Sequence, residues 1–140
     1  MQPNFIDAAA YRMELAQRCL QAARLLMEAG DAAGVANRAY YCAFHAMRAL
    51  LALTGNDPGT HAEVMSEFKK AYIKSGVMNE GMTPALNLLY SVSAASDFED
   101  FFYMQEKDVA DQLMLAEQVF QDAQYYYFTY VNSGRYPHGM

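Results

Sequence analysis

The stretch that most constrains the fold is VANRAYYCAFHAMRALLAL, residues 35–53, which has the apolar spacing of a single buried helix. At about 100° per residue, its polar side chains fall within an arc of about 100°. This polar stripe consists of Asn37, Arg38, Tyr41, His45 and Arg48. The rest of the circumference carries Ala, Tyr, Cys, Phe, Met and Leu, and must be covered by packing. The segment therefore predicts an all-α bundle in which this helix is buried.

Capping and turn residues divide the rest of the chain into further helices. The capping signals are Asp31 after Gly30, the capping box formed by Thr60 and Glu63, and Thr83 with Pro84 at the first helical position. The predicted helices span about 7–29, 31–54, 60–75, 83–97 and 106–131. The segment DFEDFFYMQEKD, residues 97–108, either extends the fourth helix or forms a loop that tucks Phe98, Phe101 and Phe102 inward.

These patterns predict one domain, because 140 residues are enough for one sizeable core but not for two ordinary ones. No repeat, strand-like alternation or interdomain linker is visible. The predicted fold class is all-α, an antiparallel up-and-down bundle of four to five helices over residues 1–131. Residues 132–140 are predicted to form a flexible C-terminal tail.

Composition narrows the classes of function and location. No apolar run reaches the roughly 18 residues of a membrane span, and no secretory signal is visible, so we expect a cytoplasmic protein with no membrane partner. Cys19 and Cys42 lie in apolar helical patterns and are expected to be buried free thiols. The net charge is −6: residues 1–76 hold eight Lys/Arg against seven Asp/Glu, and residues 77–140 hold two against nine. A broad basic face for DNA is therefore not expected, and only a local basic patch in the first half is compatible with the sequence.

The polar stripe is the strongest candidate for a site. Arg38 and His45 are two helical turns apart, so their side chains can converge on one group. Arg binds phosphate bidentately and His moves protons near neutral pH, so the pair suits a phosphodiester. It suits equally a hydrogen-bond network at a subunit interface, or simply the solvent side of the helix. We expect Arg38 to be paired, with Asp97 and Glu99 as candidate partners.

Other candidate sites carry weaker signals. His61 lies in the first turn of the third helix, where a local or interface hydrogen bond is the expected role. The aromatic run YYYFTY, residues 125–130, can stack on bases but is more typical of core and partner surfaces. Asp97, Glu99 and Asp100 have no histidine at ligand spacing and are expected to form a solvated acidic turn. The sequence shows no phosphate-binding glycine loop, metal motif or nucleophile elbow, and no cofactor is expected.

The segment NRAYYCAFHAMRALLALTGNDPGTHAEVMSEFKKAYIKSG, residues 37–76, resembles the HEPN domain, closest to a small prokaryotic branch of that family. The later segment ALNLLYSVSAASDFED resembles the same branch, so that the similarity covers about residues 7–130. The resemblance implies an antiparallel helical bundle, usually a homodimer. It also implies a nucleotidyltransferase partner in toxin–antitoxin or related defence modules. Some members are metal-independent RNases with an arginine and a histidine four to six residues apart, a spacing that Arg38 and His45 satisfy.

Three hypotheses of function follow. The first is a module that associates with a nucleotide, RNA or a nucleotidyltransferase partner. We expect this module to be a homodimer joined partly through the stripe. The second is a metal-independent endoribonuclease in which Arg38 and His45 are catalytic. The third is a non-catalytic dimeric scaffold. In all three, Asn37, Tyr41, Arg48 and His61 are the expected ligand or interface residues.

Overall fold

The computed structural model describes residues 4–98 and 102–133, which form an all-α bundle, as predicted. Its helices are α1 (Phe5–Glu28), α2 (Ala32–Ala52), α3 (His61–Phe68), α4 (Met82–Phe98) and α5 (Glu106–Asn132). No helix in these two ranges is long and apolar enough to cross a bilayer. The C-terminal segment 134–140, and with it most of the predicted tail, lies outside the described residues.

The turn between α1 and α2 is as short as the sequence predicts. Gly30 takes φ +77°, and the side chain of Asp31 accepts a hydrogen bond from the backbone of Gly34 at 2.9 Å. Such a short connection brings the two helices together as an antiparallel pair. Small side chains line the contact, because Ala9, Ala16 and Ala23 repeat every seven residues on α1 and are all fully buried.

The second helix is the centre of the bundle and packs against α1, α3, α4 and α5. Thirteen of its 21 residues are buried, and none is fully exposed. The half-buried positions are its first turn, residues 32–34, and the polar stripe Asn37, Arg38, Tyr41, His45 and Arg48. The predicted burial of this helix, with one polar stripe left partly accessible, is confirmed.

The third helix begins at the predicted cap and ends in an unusual turn. The Thr60 hydroxyl accepts from the backbone of Glu63 at 3.1 Å and donates to the Glu63 carboxylate at 3.0 Å. A π-helical turn over Lys69–Ile73 then continues the helix. Because a π turn advances each residue through a smaller angle, Tyr72 and Ile73 are both buried and Ala71 is exposed. A continuous α-helical spacing from Val64 and Phe68 predicts Ala71 on the buried side, and the π turn makes that prediction wrong.

The last two helices agree with the predicted spans to within one residue at each end. The fourth begins at Met82, one residue before the predicted cap Thr83, because Met82 and Thr83 already donate to the carbonyls of Asn79 and Glu80. Residues 102–105 are not helical, and Phe102 is half-buried, whereas 99–101 lie outside the described residues. The final helix spans Glu106–Asn132, which confirms the predicted 106–131 within one residue. Its buried residues include Val109, Ala116, Phe120 and Ala123, and the helix packs on α2 and α1.

Candidate functional site

The structure brings all six predicted site residues into one cluster. Asn37, Arg38, Tyr41, His45 and Arg48 lie along the partly accessible side of α2. His61, the first residue of α3, joins them with its ring 5.7 Å from the Tyr41 ring. We refer to these six residues as the α2 cluster.

Arg38 is held by neutral groups. Its Nε and Nη2 donate to Oδ1 of Asn37 at 2.8 and 2.6 Å, and its Nη1 donates to Sγ of Cys19 at 3.6 Å. Its guanidinium also lies 5.2 Å from the centre of the Tyr41 ring. The prediction that Arg38 is paired is confirmed, but the suggested partner Asp97 is wrong, and Glu99 lies outside the described residues. Within those residues Arg38 has no carboxylate partner, so its positive charge is not neutralised.

Two residues that sequence reasoning missed complete the other end of the cluster. Asp57, in the turn between α2 and α3, accepts from Arg48 at 2.9 Å and from Arg12 of α1 at 3.1 Å. Arg12 also donates to the backbone carbonyl of Arg48 at 3.3 Å. The hydrogen bond from Arg48, helped by the charge of Arg12, lowers the pKa of Asp57, which therefore stays ionised. No sequence signal joined these three residues, because they lie on separate elements.

His45 lies among these cations. Burial is the main cause that lowers its pKa, and the charges of Arg48, Arg38, Arg12 and His61 lower it further. The imidazole is therefore neutral at pH 7, since its ordinary pKa is already about 6.5. Its Nδ1 and the Nε of Arg48 are both buried and have no hydrogen-bond partner in the described part of the chain.

His61 is fixed by contacts to α2. Its Nδ1 lies 2.6 Å from the hydroxyl of Tyr40, and its ring stacks on Phe44 with the centroids 4.2 Å apart. This contact joins residues 21 positions apart and links α3 to α2. Tyr40 also meets the ring of Tyr90 on α4 edge to face at 5.4 Å. Helices α3 and α4 thus both contact Tyr40 of α2.

This region is rich in positive charge, whereas the whole chain has a net charge of −6. Arg12, Arg38 and Arg48 surround His45, and Asp57 is the one carboxylate paired with any of them among the described residues. In the same residues, no three His, Cys, Asp or Glu side chains come together as metal ligands, and Asp97 is exposed at the end of α4. The side chains of this region can therefore bind an anion through the arginines and transfer protons through imidazole.

Comparison with known proteins agrees with this architecture. The chain is 27% identical to a UPF0332 protein of Thermotoga maritima over 76% of its own length and 81% of the relative's. It is 39% identical to a UPF0332 protein of Pyrococcus horikoshii over 46% of its length and 45% of the relative's. It is 26% identical to a candidate toxin of Methanocaldococcus jannaschii over 79% of its length and 81% of the relative's. A family model for the HEPN domain matches residues 9–125, and the chain therefore belongs to the HEPN domain family.

Proposed function

We propose that this chain is a HEPN module that binds a phosphate group of RNA or of a nucleotide at the α2 cluster. It acts as a homodimer with a nucleotidyltransferase-type partner in a toxin–antitoxin or defence-like system. The observation that carries the proposal is the concentration of three arginines around His45 in a chain with a net charge of −6. The similarity to a candidate toxin supports the toxin–antitoxin setting.

Arg38 is the residue best prepared to bind the phosphate. Asn37 and Cys19 orient its guanidinium without cancelling its charge. A planar guanidinium offers parallel N–H donors that match two phosphate oxygens. Arg48 is less available, because the carboxylate of Asp57 pairs with it, whereas the partners of Arg38 are neutral. The phosphate is therefore expected to bind between Arg38 and His45.

The charge distribution favours a short ligand. Residues 77–140 hold nine acidic residues against two basic ones, and that half of the chain repels a long polyanion. An RNA end, a short single strand or a nucleotide needs only the local cluster. A DNA duplex is not expected for the same reason.

Binding of a fluorescent single-stranded RNA, followed by anisotropy at several salt concentrations, tests the proposal. Arg38→Ala should weaken binding about tenfold and flatten the salt dependence by about one phosphate contact. Arg18→Ala is the matched control, because within the described residues Arg18 pairs only with Glu14, on the exposed side of α1. Equal losses in the two variants would show that the RNA follows overall charge and does not use the α2 cluster.

Size-exclusion chromatography with light scattering tests the proposed homodimer and should give twice the monomer mass. The α2 cluster contributes to that interface in the proposal, since its side chains are half-buried and include neither Lys nor Glu. A monomer at tens of micromolar would contradict this part of the proposal while leaving phosphate binding open to the anisotropy test.

A second candidate function is metal-independent cleavage of RNA by Arg38 and His45. The lowered pKa of His45 favours it, because a neutral imidazole can accept a proton at pH 7. Cleavage should proceed in EDTA and leave a 2′,3′-cyclic phosphate. His45→Ala should then reduce the rate by about two to four orders of magnitude. An unchanged rate in this variant would exclude His45 from the chemistry.

A further inference from the structure

A second imidazole, from a different helix, shares two aromatic neighbours with His45. The ring of Phe44 is 5.7 Å from that of His45 and 4.2 Å from that of His61. The ring of Tyr41 is 6.1 Å from that of His45 and 5.7 Å from that of His61. The two histidines are 16 positions apart in the sequence, and the packing of α3 on α2 brings both against these rings.

Tyr40 fixes the orientation of His61. The hydroxyl of this buried tyrosine is 2.6 Å from Nδ1, so the imidazole has only Nε2 left for a ligand. Burial raises the pKa of Tyr40 well above its ordinary value, and the side chain therefore stays a neutral phenol. The contact at Nδ1 fixes the imidazole ring, so that Nε2 is the nitrogen that can exchange a proton with a ligand. A tyrosine in this position acts as a positioning residue.

The charged groups around the two imidazoles are almost all cationic. Arg38 and Arg48 face His45 from its own helix, Arg12 faces it from α1, and His61 faces it from α3. No hydrogen bond within the described residues joins any of these arginines to either imidazole. A phosphate at this position would therefore meet two imidazoles and an uncompensated guanidinium.

We propose that His45 and His61 form a general base and general acid pair for RNA strand cleavage, with Tyr40 as the positioning residue for His61. The inference rests on the phosphate site proposed above. His45 takes the proton of the ribose 2′-hydroxyl as its oxygen bonds to phosphorus. The bond between phosphorus and the 5′-oxygen breaks, and His61 gives its Nε2 proton to that leaving oxygen. The products are a 2′,3′-cyclic phosphate and a free 5′-hydroxyl, and Arg38 binds the charged phosphoryl oxygens.

Two substrates with different leaving groups separate the roles of the two histidines. Uridylyl-3′,5′-adenosine has a poor leaving group that needs an acid, whereas uridine 3′-(4-nitrophenyl phosphate) has a leaving group that departs unprotonated. His61→Gln should lose about 10² to 10⁴-fold in kcat on the dinucleotide. It should keep most of the wild-type rate on the nitrophenyl ester. His45→Gln should lose activity on both substrates, and His138→Gln, outside the described residues, is the matched control and should lose none.

The pH profile gives a readout that a purely structural role would not change. In the wild type, the rate on the dinucleotide should fall at low pH as His45 becomes protonated. His61→Gln should keep this acidic limb on the nitrophenyl ester, because His45 is intact. Tyr40→Phe should lower the rate on the dinucleotide more than the rate on the nitrophenyl ester, because the hydroxyl that orients His61 is lost.

Binding of 2′-O-methyl RNA, which lacks the nucleophile, separates failure of this inference from failure of the proposed function. A protein that binds this RNA but cleaves neither substrate overturns the acid–base pair and leaves phosphate binding in place. A protein that does not bind it at all overturns both. A His61→Gln variant that is folded by circular dichroism and equally poor on the two substrates would show that His61 only supports the structure.

Discussion

Gly55, in the turn that leads from α2 to Asp57, should be intolerant of a side chain for two separable reasons. Its φ is +78°, a left-handed conformation that costs an L-residue about 1–2 kcal/mol. A Cβ added there would lie 2.7 Å from Cζ of Phe5, and relieving such overpacking costs about 1–3 kcal/mol. The low end of this overpacking range, about 1 kcal/mol, applies because the Phe5 ring can pivot. Gly55→Ala should therefore reduce the free energy of unfolding by about 2–3 kcal/mol.

Gly30 and Gly76 provide matched controls for this prediction. Their φ values are +77° and +87°, and an added Cβ would meet nothing within 4 Å at either position. Gly30→Ala and Gly76→Ala should each lower the free energy of unfolding by about 1–2 kcal/mol, the cost of the left-handed backbone alone. Urea unfolding followed by circular dichroism measures this change. In a Phe5→Ala background, Gly55→Ala should cost no more than Gly30→Ala does in the wild type, because the clash with the ring is gone. If Gly55→Ala costs no more than Gly30→Ala, then Phe5 does not restrict this turn and the reasoning fails.

Two further predictions concern the charges of the site. Because the folded protein lowers the pKa of His45, the unfolded chain binds more protons as the pH falls below about 6.5, and stability should decrease there. Urea midpoints measured between pH 8 and pH 5 should show this decrease, and His45→Gln should reduce it; an identical decrease in the variant would refute the assignment. Asp57→Asn should cost about 1 kcal/mol of stability, since Arg12 and Arg48 lose an exposed carboxylate partner, yet tighten RNA binding by removing a competing anion. Glu14→Gln, which breaks the exposed pair with Arg18, is the control for affinity, and weaker RNA binding by Asp57→Asn would contradict the assigned role of the cluster.

The sequence by itself determined the helices, their caps and the face that carries the polar residues. These features depend on groups three or four residues apart, such as Asp31 with Gly34 or Thr60 with Glu63, so a local pattern contains all the information. The polar stripe of α2 was predictable for the same reason. The apolar majority of that helix could only be satisfied by burial, which left one side for Arg38 and His45.

Contacts between elements were decided only by the tertiary structure. Arg12 and Asp57 are 45 positions apart, and Tyr40 and His61 are 21 apart, so no local periodicity could pair them. The partner of Arg38 was missed for a different reason: adjacent helical residues do not normally face each other, yet the long arginine side chain folds back onto Asn37. Likewise, one of two adjacent tyrosines became buried and the other half-buried: α3 and α4 both contact the Tyr40 ring, whereas Tyr41 meets α3 through the edge of His61. Burial by a neighbouring helix depends on how the whole chain packs, and it is this packing that gives similar side chains different chemical roles.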